Sequence, residues 1–305
     1  GHGRHQRRRD RNHHGRSRRV IALSFRALCA ACGCRHVCSM RRAQPVSHDS
    51  RWFGEEHPLV VAVEYISKEE SADVAAGSAS AKHGVTGILA VQGAFAEHAA
   101  MLDRLGAPWK LLRAAEDFDD SIDRVILPGG ESTTQGKLLR STGLFEPIAA
   151  HIAAGKPVFG TCAGMILLAR RLDNDENVYF GALDAVVRRN AYGRQLGSFA
   201  ASADFGASDD ADAVVVASGE SVSSAISAAA GEEGASEASD TSVVLKDFPL
   251  VFIRGPFVAE VGERATVETS VDGNVVGLRQ GKILATAFHP ELTDDTRIHE
   301  LFLSL

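Results

Sequence analysis

Short apolar runs alternate with amphipathic stretches along the chain after residue 84. The apolar runs are bounded by Gly and Pro and predict buried strands at residues 87–91, 124–127 and 157–159. The amphipathic stretches predict helices at 94–105, 134–139, 144–154 and 163–172. Strands that alternate with helices of this length indicate parallel βαβ units. The pattern therefore predicts an α/β fold with a mostly parallel central sheet covered on both faces by helices.

The alternation stops at about residue 204. Residues 204–247 are rich in Ser, Ala and Gly and carry ten acidic residues and one lysine. This composition favours a solvated loop or disorder, which predicts an acidic insertion flanked by short strands at 214–217 and 243–245. Regular elements then resume, with strands predicted at 251–253, 266–270, 275–279 and 283–288 and a helix at 295–305.

The first 84 residues have a different composition. Residues 1–48 contain twelve arginines and one acidic residue, Asp10, while residues 67–82 are small and polar. We expect a disordered basic leader and linker over 1–84, with one possible strand at 59–65, and a folded domain over 85–305. The lack of Met at position 1 and the presence of Met40 suggest a fragment or an over-extended gene start. The other explanation is an organelle transit peptide, which is typically rich in Arg and poor in acids. If the leader is not a transit peptide, we expect the protein in the cytoplasm.

Composition excludes several classes of function. The net charge of −6 gives no reason to expect a nucleic-acid partner. No run reaches the roughly 20 apolar residues of a membrane span, so no membrane association is expected. Four cysteines, Cys29, Cys32, Cys34 and Cys38, lie in the leader. They could bind zinc through thiolates, but they lack a second ligand pair at zinc-finger spacing, so we expect a disordered leader without metal.

The strongest chemical signal is the sequence Gly-Thr-Cys-Ala-Gly at 160–164, between a predicted strand and a predicted helix. Glycines on both sides of Cys162 permit a tight strand-to-helix turn, as in a nucleophile elbow. A thiol at the amino end of a helix feels the positive end of the macrodipole, which favours the thiolate. Cys162 is therefore a candidate nucleophile, and the alternative is a buried structural cysteine.

A second signal is His289-Pro290-Glu291 at the end of a predicted strand. Residues two apart in an extended chain project to the same side, and Pro290 biases His289 toward extended geometry. Glu291 could then orient His289 while His289 exchanges a proton with Cys162. On its own, this tripeptide is more often an ordinary loop.

A third signal is the Pro-Gly-Gly sequence at 128–130, which follows the strand predicted beside the elbow strand. Backbone N–H groups of such a glycine pair can stabilise an oxyanion, with the N–H of Ala163 as a second donor. The alternative is an ordinary strand-to-helix turn, in which Ser132 or Thr133 caps the next helix.

Six motifs in this order resemble the class I glutamine amidotransferases, and more closely the glutaminase subunits of pyridoxal 5'-phosphate synthase. They are VQGA at 91–94, LPGGESTT at 127–134, GTCAG at 160–164, NAYGRQ at 190–195, VFIRGP at 251–256 and FHPELT at 288–293. The resemblance covers residues 85–201 and 251–305. It departs from the family at Gly255, where Ala is common, and in the long acidic insertion. The insertion could cover the substrate site, touch a partner or, as we expect, form a passive surface loop.

The resemblance implies a three-layer α/β/α sandwich and a site for L-glutamine. It implies that Cys162 attacks the side-chain amide, that His289 transfers protons and that Glu291 orients His289. Gly130, Ala163 and Gln92 would serve the oxyanion hole and its activation. The implied glutamine-binding residues are Gly130, Glu131, Ser132, Arg194, Ile253 and Arg254.

The resemblance also implies a partner, a (β/α)8-barrel synthase subunit that receives the ammonia in a large hetero-oligomer and controls glutaminase activity by docking. No cofactor is needed in this chain, since pyridoxal phosphate is the product of the pathway. Two alternatives stay open. One is a glutaminase for another pathway, and the other is a catalytically silent regulatory module of the same fold.

Overall fold

The computed structural model describes residues 84–173, 175–189, 198–206, 213–230 and 242–305. Several predictions lie outside these residues: the leader with its four cysteines, the strand at 59–65, the NAYGRQ motif with Arg194, and parts of the acidic insertion. Within the described residues, no helix is long and apolar enough to cross a membrane.

Thirteen strands and six α-helices make up the described part of the chain. The strands are β1 (Val85–Leu89), β2 (Trp109–Leu112), β3 (Ile122–Leu127), β4 (Val158–Thr161), β5 (Ala169–Leu172), β6 (Leu183–Arg188), β7 (Ser198–Phe205), β8 (Val214–Val216), β9 (Val243–Ile253), β10 (Phe257–Val261), β11 (Thr266–Val271), β12 (Asn274–Gln280) and β13 (Ile283–Thr286). The helices are α1 (Phe95–Arg104), α2 (Ser132–Ser141), α3 (Phe145–Ala153), α4 (Ala163–Leu168), α5 (Val222–Ala230) and α6 (Arg297–Leu303).

The central sheet has seven strands in the order β11-β12-β13-β4-β3-β1-β2. All neighbours from β13 to β2 pair in parallel, while β11, β12 and β13 pair antiparallel. The predicted mostly parallel α/β fold is therefore confirmed. Because β3, β4 and β13 are parallel neighbours, the residues that follow each of them meet at one edge of the sheet.

The strands of this sheet are apolar because helices cover them. Ile126 on β3, Phe159 on β4 and Leu284 on β13 are completely buried, as is Phe302 on α6. Phe159 and Phe302 lie with ring centroids 5.5 Å apart, which joins the terminal helix to the elbow strand. Burial of such side chains is the main favourable term in folding.

The predicted helix at 163–172 is wrong in its second half. The chain leaves the helix after Leu168, and Ala169–Leu172 forms β5, which pairs in parallel with β6 in a sheet completed by β10. Arg170 on β5 pairs with Asp184 on β6 and Glu260 on β10, at 2.6 Å and 2.9 Å. Partners distant in sequence thus override the local preference for helix.

The acidic insertion contains regular structure where it is described. Val214–Val216 pairs in parallel with β9, as the predicted strand at 214–217 required. The predicted solvated loop is wrong for Val222–Ala230, which forms α5. Val222 is fully buried, and its backbone N–H donates to the Glu300 carboxylate at 2.8 Å, so α6 caps the start of this helix.

Candidate active site

Cys162 lies at the turn between β4 and α4. Its φ of 49° is in the left-handed region, which non-glycine residues rarely adopt. A Cβ on Gly164 would stand 2.0 Å from the Leu127 carbonyl oxygen, so glycine is needed for α4 to approach β3 this closely. The sequence therefore folds as the predicted elbow, with Cys162 6% exposed at its tip.

His289 lies beside Cys162, just after β13. Its backbone N–H donates to the Val251 carbonyl at 2.8 Å, and its ring is hydrogen-bonded to the Cys162 thiol. The ring Nδ1 lies 2.8 Å from Oε1 of Glu291, two residues along the chain. Burial lowers the pKa of His289, but the hydrogen bonds to Cys162 and Glu291 outweigh burial and raise this pKa to about 10. The imidazole is therefore held in its charged form at neutral pH.

The two glycines after β3 pack against this group. A Cβ on Gly129 would stand 2.2 Å from His289 Cε1 and 3.4 Å from Cys162 Cβ, so only glycine leaves room for the imidazole. The Gly129 carbonyl accepts from the Ala94 N–H at 3.0 Å, which orients the peptide that carries the Gly130 N–H. Gln92 Oε1 accepts from the Glu131 N–H at 2.8 Å and holds the end of the loop.

Glu131 caps α2 and faces solvent. Its carboxylate accepts from the backbone N–H groups of Thr133 and Thr134 at 3.2 Å and 2.7 Å. Arg189 Nη2 lies 3.3 Å from the same carboxylate, and Arg189 was not among the predicted residues. Ser132 is buried at the first position of α2. Glu131 thus presents a negative charge beside the glycine loop.

Ile253 is the last residue of β9 and Arg254 follows it, two and three residues after Val251, whose carbonyl accepts from the His289 N–H. Both are exposed, and Arg254 has a φ of 46°. A Cβ on Gly255 would stand 2.8 Å from the Ala287 carbonyl oxygen, so this segment runs close to the strand that leads to His289. The backbone on both sides of Ile253 and Arg254 therefore runs beside residues 287–289, while Arg194 lies outside the described residues.

Three buried side chains behind Glu291 were missed. His98 on α1, Thr161 at the end of β4 and His299 on α6 are each completely buried. Thr161 Oγ1 accepts from the Gly129 N–H at 2.9 Å and lies 3.4 Å from Glu291 Oε1. Among the described residues, no group of three or more His, Cys, Asp and Glu is arranged to hold a metal ion. Histidines on the buried faces of α1 and α6 are a sequence signal that could have indicated this network.

Comparison with known proteins identifies a family model that matches residues 88–227 and 227–305, that of the SNO glutamine amidotransferase family. The pyridoxal 5'-phosphate synthase subunit PdxT of Bifidobacterium adolescentis is 84% identical over 221 residues, which are 72% of this chain and all of that protein. The corresponding PdxT of Bifidobacterium longum is 75% identical over the same shares of both chains.

A solved structure gives the same result in three dimensions. A crystal structure of a glutamine amidotransferase is 36% identical and superposes with a TM-score of 0.57, covering 72% of this chain and 99% of that one.

Proposed function

This chain belongs to the SNO glutamine amidotransferase family and hydrolyses glutamine for pyridoxal 5'-phosphate synthesis, and we propose that Cys162, His289 and Glu291 carry out the hydrolysis. The observation that carries the proposal is the contact of the His289 ring with the Cys162 thiol on one side and with Glu291 Oε1, at 2.8 Å, on the other. A nucleophile, a base and a group that orients the base are the parts that such catalysis needs.

The reaction proceeds in two stages. Cys162 reacts as the thiolate whose proton His289 holds. Its sulfur attacks the side-chain amide carbon of glutamine, and His289 gives that proton to the departing nitrogen, so that ammonia leaves and a thioester remains. His289 then takes a proton from water, the hydroxyl adds to the thioester carbon, and glutamate and the thiolate are released. The raised pKa of His289 supports the first stage, because it keeps a proton on the ring at neutral pH.

The oxyanion of each tetrahedral intermediate needs two donors. The N–H of Ala163 is free of intrahelical partners because Ala163 is the first residue of α4. The N–H of Gly130 is the second donor, in a loop held by Gln92. We propose that docking of the synthase completes this hole.

Glutamine itself carries an α-amino and an α-carboxylate group. The exposed carboxylate of Glu131 suits the first group, and the guanidinium groups of Arg254 and Arg194 suit the second. Ser132, Ile253 and Gly130 complete the proposed substrate site.

The relatives are subunits of a synthase, which implies that a synthase subunit is the partner of this chain. We propose that this partner is a (β/α)8 barrel in a large hetero-oligomer. A cytoplasmic location stays a prediction.

Replacing Cys162 by Ala tests the assignment. The variant should lose glutamine-dependent pyridoxal phosphate formation in the complex, with kcat falling by at least about 10⁴-fold, because the nucleophile is removed. Added ammonium should restore synthesis, since the synthase needs only ammonia. Retained glutamine-dependent synthesis by Cys162→Ala would overturn the proposal, and the identity of the copurifying synthase would report the pathway.

A further inference from the structure

The second oxygen of Glu291 points away from His289 toward another histidine. Glu291 Oε2 lies 3.6 Å from Nε2 of His98, and both side chains are fully buried. This oxygen has no hydrogen bond within the described residues. The free energy of burying this carboxylate oxygen depends on whether the His98 ring presents an N–H donor or a lone pair to it.

Both histidines behind Glu291 are neutral. Burial lowers the pKa of His98 well below its usual value, with a further contribution from His299 and His289. Burial, followed by the charge of Arg104, lowers the pKa of His299 to about 3. His98 therefore carries one ring proton, on either Nδ1 or Nε2.

The contacts of His299 decide where that proton lies. His98 Nδ1 is 2.9 Å from His299 Nε2, so one of these nitrogens donates and the other accepts. If His98 Nδ1 donated, the proton of His299 would lie on Nδ1, which has no hydrogen-bond partner in the described part of the chain, and a lone pair of His98 would face the Glu291 carboxylate. If His299 Nε2 donates instead, only an acceptor lone pair is left unpaired, which costs less than a buried donor.

The second arrangement also satisfies Thr161. Its oxygen accepts from the Gly129 N–H at 2.9 Å and from His98 Nε2–H at 3.2 Å, and its hydroxyl proton points to Glu291 Oε1 at 3.4 Å. Every donor of the network then has an acceptor. The His98 Nε2–H faces Glu291 Oε2 as an oriented dipole, because 3.6 Å is too long for a full hydrogen bond.

We propose that His98 is a positioning residue of the glutaminase site, whose Nε2–H, fixed by His299 and shared with Thr161, holds the carboxylate of Glu291 in the orientation that serves His289. This inference rests on the proposed function of the triad. His98 does not touch glutamine, and it acts only through Glu291 and Thr161. The same network joins the triad to the glycine loop, because Thr161 binds the Gly129 N–H.

Two substitutions of His98 distinguish the role of its Nε2 from that of its Nδ1. Gln carries an amide N–H near the place of Nε2, and Asn carries one near the place of Nδ1. In the complex with the synthase, His98→Gln should keep kcat for glutamine within about threefold of the unaltered enzyme. His98→Asn should lower kcat about tenfold, because Thr161 loses its hydrogen bond from Nε2–H and Glu291 loses the dipole that faces it. KM for glutamine should not change, because the binding groups are untouched.

The buried His151 on α3, bonded to the Pro157 carbonyl at 3.2 Å, supplies the matched control. His151→Gln and His151→Asn should leave kcat equal to each other. Equal kcat values for His98→Gln and His98→Asn would overturn the proposal. A variant with a lower kcat, a higher KM and a lower melting temperature together would also overturn it, because such a variant indicates that His98 only packs the core.

A second variant and a second measurement keep the test decisive. If either His98 variant fails to fold, the variant His299→Leu takes its place, because it removes the donor to His98 without touching Glu291. It should lower kcat and leave KM unchanged. An unaltered kcat would overturn the proposal. The alkylation rate of Cys162 by iodoacetamide at neutral pH should fall in His98→Asn and not in His98→Gln. Inactivity of the unaltered complex toward glutamine refutes the proposed function, whereas equal alkylation of both variants refutes the role of His98.

Discussion

At the scale of single residues, the candidate site needs a glycine at position 129 as much as it needs the side chains of Cys162 and His289. Cys162 and His289 are each 6% exposed, and the space that the imidazole occupies is the space that a side chain at 129 would take. A glycine here is therefore explained by the position of His289. The backbone of Gly129 has no positive φ, so an alanine would meet only a steric obstacle.

Replacing Gly129 by Ala should displace the imidazole of His289 from Cys162. A displacement of about 1 Å lowers activity about hundredfold, so glutamine-dependent kcat/KM should fall by at least this factor. Steady-state kinetics of the complex measures the change, and the melting temperature reports folding. Gly155→Ala is the control, because a Cβ there meets nothing within 4 Å and adds only the strain of a φ of 70°. Activity of Gly129→Ala equal to that of Gly155→Ala would contradict the expected displacement.

At the scale of elements, α6 holds the acidic insertion to the rest of the domain. The side chain of Arg297 is 2% exposed, pairs with Asp295 at 2.6 Å and donates to the carbonyls of Val216 on β8 and Lys246 on β9, both at 2.9 Å. The strands β8 and β9 thus share one buried guanidinium, through carbonyls that lie within residues 204–247. The described part of the insertion is therefore built into the fold.

Replacing Arg297 by Leu should lower the free energy of unfolding by about 3–5 kcal/mol, because the Asp295 charge and two carbonyls lose their partner. Urea unfolding monitored by circular dichroism measures this. Arg171→Leu is the matched control: its side chain is 56% exposed and lies 3.8 Å from Glu260, so the cost should be at most about 1 kcal/mol. Similar costs for the two variants would show that the buried contacts of Arg297 contribute little.

At the scale of the whole molecule, the curated relatives indicate how much of the chain the enzyme needs. The Bifidobacterium adolescentis protein is matched over its whole length by 221 residues of this chain, and the family model begins at residue 88. All described strands and helices lie between Val85 and Leu303. We propose that residues 85–305 belong to the glutaminase domain and that residues 1–84 do not.

A chain that begins at Gly84 should therefore fold and work without residues 1–83. We expect the melting temperature and the glutamine-dependent kcat in the synthase complex to equal those of the full chain, because no described contact is removed. Calorimetry and steady-state kinetics of the two chains, prepared in parallel, check this. A loss of either property in the shorter chain would place residues 1–83 in the working enzyme.

Much of the fold and of the candidate site could be predicted because the signals are local. The βα alternation follows from apolar periodicity, and the elbow at Cys162 follows from the glycines at 160 and 164. The pairing of His289 with Glu291 was predicted from an extended chain, but residues 290–292 form a 3₁₀ turn that brings the Glu291 carboxylate to His289. Predicted and observed bounds of the main-sheet strands differ by only a few residues, although β2 was not predicted.

Only the tertiary structure decided the features that join distant parts of the chain. The strand β5 needs β6 as a partner, and α5 needs the Glu300 cap, so neither is encoded by its own periodicity. His98 and His299 are 201 residues apart and meet only because α1 and α6 both pack near β4. The sequence alone determined which residues can do chemistry, since this depends on residue type and local backbone. Packing decided which neutral and charged groups surround them, since burial and long-range contacts exist only in the folded chain.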